Sequence, residues 1–585
     1  MTLLMRLAFV IEMRGQPYSA ISQHVVDSFY YHRWALEILA GNFWGSDVFF
    51  LRPLYPYLLA LSYRLFGVHI LPVQLLQVLM ATASCALLYD CTLRMFNRRA
   101  AGFAAVGFAL SGTLVFYSGA LLYVELTTFL SLLFVWLLLV ARKRSAVWLA
   151  AGVTFGLLVI SRPELLVLLP FLAAWLLLRR IGWQRTGLLL GAALIVCAAV
   201  PIRNYIVARD PVLFTAHSGI NFYYGNNPDA DGTWQPTGEL EKGAGFSHER
   251  LKRISRTIDG KVLPWSKASS YWMNKGLRFI VTEPGRYLVL LGRKLLLFIA
   301  NYEVPNNYYP EIARASSVAL KLGFVNFGLA LALGVTGMVW AWPIRRKALP
   351  AYLIVAGHAF SALAFYVLSR LRAPVVPFLL MFAGYALSEL IVALRERRTG
   401  RAVTGVLVSA AVFVASLAIP VDRAGYSAQG WTQTGNILAE QHQPGRAVAA
   451  YRRALAAQPN NSAARYSLLM TLAAMGKSNE AEDELTRLSA GATTGEAGRL
   501  FATLGAARVA IVRRDFPAAA AMYQNAFALD STDAETAYLL GLVYVSMDSL
   551  PPARYWLERA LALDPGHDGA RSVLPRVVAR LNGQP

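Results

Sequence analysis

Asp27 lies in Asp27-Ser28-Phe29-Tyr30-Tyr31-His32-Arg33-Trp34, just past the first apolar segment and ahead of Arg52-Pro53-Leu54-Tyr55-Pro56-Tyr57. An ionisable side chain beside a bilayer is costly to keep and marks a pathway or a reacting centre, and the aromatic residues after it suit the membrane interface. Further ionisable residues stand at the ends of apolar segments: Glu125, Arg162-Pro163-Glu164, Arg203-Asn204, Arg293-Lys294, and Arg370-Leu371-Arg372 ahead of Pro374 and Pro377. Gathered on one membrane face, they suit a reaction that consumes a membrane-anchored phosphodiester donor. A carboxylate would take the proton from an acceptor hydroxyl, and cations would hold the departing phosphate. Taken singly, each has a plainer reading: Arg370 and Arg372 as arginines snorkelling to lipid headgroups, Glu125 as an interhelical hydrogen bonder, and Asp27 as a solvated loop acid. No cofactor is expected. Cys85, Cys91 and Cys197 lie in apolar segments without metal-site spacing, so no metal site is expected either, although the chemistry leaves a divalent metal open.

The elements that must position these residues are helices in a membrane. The chain has 585 residues, 56% hydrophobic and 15% charged, with mean hydropathy +0.44, too apolar for an ordinary soluble protein of this length. Its net charge of +22 does not point to nucleic acid. The basic residues cluster beside apolar segments, as at Arg142-Lys143-Arg144 and Arg345-Arg346-Lys347, which is the pattern of cytoplasmic loops. Apolar stretches occur at about 71–93, 100–120, 122–141, 146–161, 163–178, 186–202, 318–343, 349–368, 375–394 and 402–420, and an N-terminal segment brings the expected spans to about eleven. With the first span running outward, the loops holding Asp27, Glu125, Arg162 and residues 204–317 fall outside the cytoplasm. Residues 286–301 are interrupted by Arg286, Arg293 and Lys294 and read as an interfacial or re-entrant helix. Met1 to about Met13 would reach only ~20 Å against a ~30 Å hydrocarbon core and contains Arg6 and Glu12. So short a segment suggests a start further upstream. A cleaved signal peptide is the alternative, although no small-residue cleavage site stands in good order before Asp27.

Residues 1–425 therefore read as one all-α, polytopic membrane domain, and residues 430–580 as a second domain of Ala-rich amphipathic helices. Ala447 and Ala481, and again Ala519 and Ala553, are separated by 34 residues, with about four inserted between the pairs. That is the tetratricopeptide period. The small residues let paired helices approach, Tyr451, Tyr523 and Tyr555 are expected to fill between them, and Pro459 and Pro565 follow helix ends. The repeats read as an extracytoplasmic surface for an envelope protein. The alternative is a spacer without a partner.

The first loop (the acid, Tyr31-His32-Arg33-Trp34-Ala35, Gly41 and Arg52-Pro53-Leu54-Tyr55-Pro56-Tyr57), Glu125, Arg162-Pro163, Arg203-Asn204 and Ser218-Gly219-Ile220-Asn221-Phe222-Tyr223-Tyr224-Gly225-Asn226-Asn227 resemble the bacterial membrane glycosyltransferases of the GT-C fold. The relevant group includes the protein O-mannosyltransferases and the aminoarabinose transferase of lipid A. The resemblance covers about residues 1–420, and trailing tetratricopeptide repeats are familiar in it. It implies metal-independent or weakly metal-linked transfer of a sugar from a polyprenyl-phosphate donor to a protein, lipid or glycan acceptor. It also implies a multi-pass protein of the bacterial inner membrane with its active site on the outer face. Asp27 matches the family's first-loop acid and hence the base. Many relatives have a second acid next to it, and Ser28 stands there instead, which leaves Glu125 as its partner. Arg370 and Arg372 match a basic pair assigned to donor phosphate, with Lys294 and Arg162 as helpers. Tyr55, Asn221, Tyr224, Gly225, Asn226 and Asn227 are expected to contact substrate, residues 218–227 closing over the donor, presenting a binding groove, or merely joining two surface helices. One carboxylate deprotonating the acceptor opposite the phosphate predicts inversion at the sugar. The rival readings are a transporter or flippase, which should scatter charges at mid-span depth and repeat its halves, and a non-catalytic scaffold.

Overall fold

A computed structural model describes residues 1–19, 21–141, 144–235, 248–491 and 496–582. The fold is all-helical: among the described residues the only paired strands are the two-residue ribbon Thr257–Ile258 and Lys261–Val262. The chain divides into two compact units. One comprises residues 1–21, 27–235 and 256–421; the other comprises the described residues of 22–26, 236–255 and 422–585.

In the first unit, hydropathy alone expects about eleven crossings. Among the described residues, five helices are long and apolar enough to cross, or six if Gly112–Gly119 and Val124–Val140, bent by 118°, form one broken span. The difference has a backbone cause, because hydropathy does not see where a helix stops. The expected span at 100–120 divides into Arg98–Ala109 and Gly112–Gly119, with Ser111 at the break bridging to Val325. Ser145–Ser161 and Pro163–Leu178 are shorter apolar helices, separated where Pro163 follows Arg162. The stretches expected at 318–343 and 349–368 run together over Phe327–Ala364. The helix Ser369–Arg395 is the most buried, with 72% of its apolar window inside the unit. Its neighbours approach closely because of glycine: a Cβ on Gly384 would meet the Ala100 carbonyl, and one on Gly337 the Phe382 carbonyl.

The N-terminal helix, Thr2–Met13, has 12 residues. Its charges are explained by packing. Arg6 is fully buried with its guanidinium 4.8 Å over Phe108, and Glu12 accepts from Ser317 Oγ at 2.6 Å and from the Ala319 amide. The long loop expected from residue 204 starts later, since the helix Trp183–Ala208 continues through Pro201. Ser218–Gly225 is helical and packs on Trp265–Thr282, the Gly219 amide donating to Ser269 Oγ at 3.0 Å. Pro284–Ile299, read from sequence as interfacial, is amphipathic and buries Leu290, Lys294, Leu297 and Phe298.

In the second unit, Arg423–Glu440 pairs with Pro444–Ala457, so the helix bearing Ala447 is the second member of its hairpin and the unit takes in residues from Asp422. Ala447, Ala481, Ala519 and Ala553 each occupy the fourth position of their helices and are at most 1% exposed. Tyr451 and Tyr523, four residues further on, are buried beside them. Tyr555 is not: it is 60% exposed, and the buried Leu557 takes its place. Two residues after Ala553, a side chain points about 200° away around the helix, whereas four residues after, it returns to the same face.

Candidate active site

Asp27 is the second residue of the helix Val26–Leu39, where the free backbone amides of a first turn favour an acid. Its Oδ2 accepts from Asn307 Nδ2 at 2.8 Å and is ion-paired with Arg370. Asn307 reaches it from a tight turn in which its own backbone is left-handed (φ 65°) and Asn306 bridges Tyr308. Arg370 sits at the buried start of Ser369–Arg395, where the Ser369 amide donates to the Val304 carbonyl at 2.9 Å. Ser28, next to Asp27, is held in packing: its Oγ donates to the Leu121 carbonyl at 3.0 Å and lies 2.9 Å from the Tyr308 hydroxyl. One turn along, burial and then the Asp27 charge push the Tyr31 hydroxyl pKa upward.

Tyr31, Tyr123 and Tyr366 lie near both this pair and a second cluster. In it Glu164 is clamped by Arg52 Nη2 at 2.9 Å and Arg162 Nε at 3.2 Å, while the Arg52 guanidinium lies 4.7 Å over the Tyr123 ring. Arg52 and Glu164 line a cavity of about 550 Å³ together with His217, Asn221, Tyr366 and Leu371. Tyr366 donates to Asn221 Oδ1 at 3.0 Å, and Asn221 Nδ2 lies 2.9 Å from His217 Nδ1. A ligand in this cavity would rest between a cationic corner and a hydroxyl- and amide-bearing wall, beside the residues that hold Arg370.

The structure divides the residues singled out from sequence. Asp27 and Arg370 come together. Arg162 joins Glu164, donates to the Leu371 carbonyl at 3.1 Å, and keeps Nη2 buried without a hydrogen-bond partner among the described residues. Of the substrate-loop residues only Asn221 lines the cavity. Tyr55 is buried and donates to Gln77 Oε1 at 2.7 Å. Gly225 is required by packing, since a Cβ would overlap the Phe365 carbonyl. Asn226 donates to the Phe222 and Ala364 carbonyls, both at 2.8 Å, and Asn227 to the Tyr223 carbonyl at 2.9 Å. Tyr224 packs against Trp234 with ring centroids 5.4 Å apart. This segment is thus neither a lid nor a surface turn, but a knot pinning the backbone at 364–365. Lys294 belongs to the same knot, its Nζ donating to Asn226 Oδ1 and the Leu363 carbonyl at 3.0 Å each, and burial lowers its pKa to about 7. Such a lysine is a weakened cation for a phosphate.

Arg372 departs furthest from its expected role. Its Nη1 donates to the Leu297, Phe298 and Ala300 carbonyls and its Nη2 to the Tyr302 carbonyl, while Glu303 pairs with it at 3.1 Å and Phe327 lies 3.8 Å below. These acceptors are the free carbonyls at the end of Pro284–Ile299 and in the turn after it, so Arg372 caps a helix. Glu125, at the start of Val124–Val140, is 1% exposed, faces the charge of Arg6, and leaves Oε1 without a hydrogen-bond partner among the described residues. Arg203 and Asn204 clasp the first loop, Arg203 donating to the Asp47 carbonyl at 2.6 Å and Asn204 accepting from the Phe49 amide at 3.1 Å. Sequence reasoning quoted Arg52 and Glu164 without giving them a role, and it missed Asn307 and Tyr366. For the first two, the repeated Arg-Pro at Arg52-Pro53 and Arg162-Pro163 was an available signal.

The apolar bundle with a buried carboxylate–arginine pair and a cavity lined in part by Arg52, Glu164 and Tyr366, carried with a helical-repeat module, defines a multi-pass membrane protein with a repeat domain. Residues 52–204 match the sequence model of the dolichyl-phosphate-mannose-protein mannosyltransferases, and residues 438–500 and 504–568 match two tetratricopeptide-repeat models. Over residues 52–204 the chain is thus similar to that mannosyltransferase family, and over residues 438–568 to tetratricopeptide repeats. No curated protein matches it. Among solved structures it is similar to the Archaeoglobus fulgidus oligosaccharyltransferase (14% identity, 77% of this chain and 59% of that one, TM-score 0.35). It is similar also to ArnT of Cupriavidus metallidurans (14% identity, 65% and 75%, TM-score 0.30) and to MamA (26% identity, 26% and 84%, TM-score 0.21).

Proposed function

We propose that the chain transfers a sugar from a polyprenyl-phosphate donor to a hydroxyl of a protein, lipid or glycan acceptor, on the outer face of a bacterial inner membrane, with inversion at the sugar. The observation that carries this reading is the buried Asp27–Arg370 pair, held by Asn307, with Arg370 next along the chain to Leu371, which lines the cavity. Asp27 takes the proton of the acceptor hydroxyl as its oxygen attacks the anomeric carbon, and the bond from that carbon to the phosphate oxygen breaks. Negative charge grows on the departing phosphate, so a fixed guanidinium stabilises the transition state more than the ground state. Arg370 is that group. In the ligand-free chain it neutralises Asp27; a donor phosphate competes for it, which returns the carboxylate to the acceptor as a free base. Arg52 and Arg162 supply further positive potential, partly neutralised by Glu164.

The basic clusters beside the apolar segments support an outward-facing site. The repeat domain, as a stack of helical hairpins, is read as binding a protein segment.

The test is transfer of radiolabelled sugar from polyprenyl-phosphate donors to envelope proteins and glycolipids by membranes carrying the chain. Asp27→Asn is expected to lower transfer on the order of 10²–10⁴-fold, the range of a lost general base. Near-normal transfer by a folded Asp27→Asn protein removes Asp27 as base. Absence of transfer from every donor by the parent chain rejects the enzyme reading in favour of a flippase or scaffold.

A further inference from the structure

The repeat unit holds a segment from elsewhere in the chain. Helix His248–Arg256 presents Arg250 and Arg253 one turn apart. Arg250 Nη2 lies 3.0 Å from Asp530 Oδ2, with side-chain exposures of 11% and 2%, and Arg253 donates to the Thr532 carbonyl. Arg253 also stands in the field of Asp530, Asp533 and Asp564. Leu251, between the arginines, is buried.

These acids arise from the repeat itself. Asp530 and Asp564 are 34 residues apart and occupy the same position, the residue ending Phe516–Leu529 and Leu550–Leu563. At that position the first repeat has Gln458. Asp533 caps the next helix, accepting from the Glu535 and Thr536 amides at 3.2 Å each. Two consecutive repeats therefore place carboxylates along one inter-repeat edge, and a pair of arginines from outside the repeats is seated there. An ion pair this dry contributes little net stability, because desolvation offsets its attraction; what it confers is discrimination, since a seated helix lacking the arginine leaves Asp530 buried and unpaired.

We propose that the edge formed by Asp530, Asp533 and Asp564 is the peptide-recognition site of the repeat domain, that it takes helices bearing two arginines one turn apart, and that residues 248–256 are its resident ligand. The proposal rests on the reading of the repeats as a protein-binding module and is independent of the transfer chemistry. A partner segment carrying such a pair competes with the resident helix, whose tethering gives it a high effective concentration.

The experiment uses the full chain in detergent and a fluorescent peptide of residues 248–256. A chain with Arg250→Ala and Arg253→Ala has an empty edge and is expected to bind the peptide at least tenfold more tightly than the parent chain, and adding Asp530→Asn is expected to weaken that binding at least tenfold. If Asp530→Asn prevents folding, a peptide with both arginines replaced by Gln tests the same contact from the ligand side and should bind at least tenfold more weakly. Equal binding by parent and emptied chains, or no binding by either, overturns the proposal. Binding indifferent both to Asp530→Asn and to the loss of the peptide's arginines also overturns it, while leaving the repeats a protein-binding module that uses another surface.

Discussion

Both units bury arginine–carboxylate pairs of similar chemistry; leaving aside Arg250–Asp530, which joins the seated helix 248–256 to the repeats, the pairs within the membrane unit and within the repeats lie at opposite sequence range. In the membrane unit Asp27 meets Arg370 across 343 residues, and Arg52 meets Glu164 across 112. In the repeat domain Arg465 meets Glu484 across 19 residues at 2.7 Å, one hairpin away. The difference teaches where a buried charge has freedom to act. A pair made by neighbouring hairpins is fixed by the period and serves the stack, whereas a pair assembled from the two ends of a long chain can stand where no helix needs it.

Arg370 and Arg372 put that contrast to its hardest test, since they are two positions apart in sequence, yet one pairs with Asp27 and the other caps a helix. Arg372→Gln strips several carbonyls and Glu303 of their donor and is expected to cost about 3–5 kcal/mol of stability, the range for breaking a buried ionic network. Arg370→Gln also removes one partner of a buried pair but leaves Asp27 its Asn307 contact, so its cost is expected at the low end of that range, about 3 kcal/mol, while transfer falls on the order of 10²–10³-fold through loss of transition-state charge stabilisation. Melting in detergent and donor-dependent transfer, measured on both variants, decide the matter. A stable Arg372 variant with a specific transfer defect would return it to the donor site.

What could be read from the sequence follows the same division. The repeat helices were legible because their cause is local: Ala447, Ala481, Ala519 and Ala553 recur at one helix position, and each is buried there. Asp27 stood out because an acid in an aromatic membrane loop is physically expensive, and Arg370 because a basic pair precedes a proline-rich helix start. That Arg372 would turn instead to the end of Pro284–Ile299 could not be read, since the unmet carbonyls exist only once a helix 72 to 75 residues away has been placed. Asn226 and Lys294 escaped for the same reason: their polar character suggested substrate, and tertiary packing turns it to backbone.

Within the repeats the period makes a sharper forecast. Tyr523→Ala, at a buried position 1% exposed, is expected to cost about 3–5 kcal/mol, as large aromatic truncations do. Tyr555→Ala, at 60% exposure, is expected to change stability by less than about 0.5 kcal/mol. Chemical denaturation followed by tryptophan fluorescence compares them, and a large cost at Tyr555 would mean that its outward face is covered.

The smallest effect separates repeats that otherwise look alike. Asn461, Asp533 and His567 hold equivalent cap positions, and each accepts a backbone amide of the helix that follows. Only His567 titrates near neutrality. Its Nδ1 accepts from the Ala570 amide at 3.2 Å and its Nε2 lies 3.0 Å from Glu535 Oε2, and the bond to Glu535 raises its pKa above the ordinary value, against an opposing effect of burial. With the folded value above the unfolded one, the contribution is fully present below about pH 6.5 and is lost as pH rises through the folded value. Two features keep it small: Glu535 is 59% exposed and screened by salt, and protonating Nδ1 forfeits the cap. The repeat domain is therefore expected to melt about 1 °C lower at pH 8 than at pH 6 in low salt, with the difference shrinking at high salt. His567→Asn, which installs the cap residue of the first repeat, should erase the pH dependence while keeping the helix start. A melting temperature that rises through the same interval would show that the cap, not the carboxylate, governs this histidine.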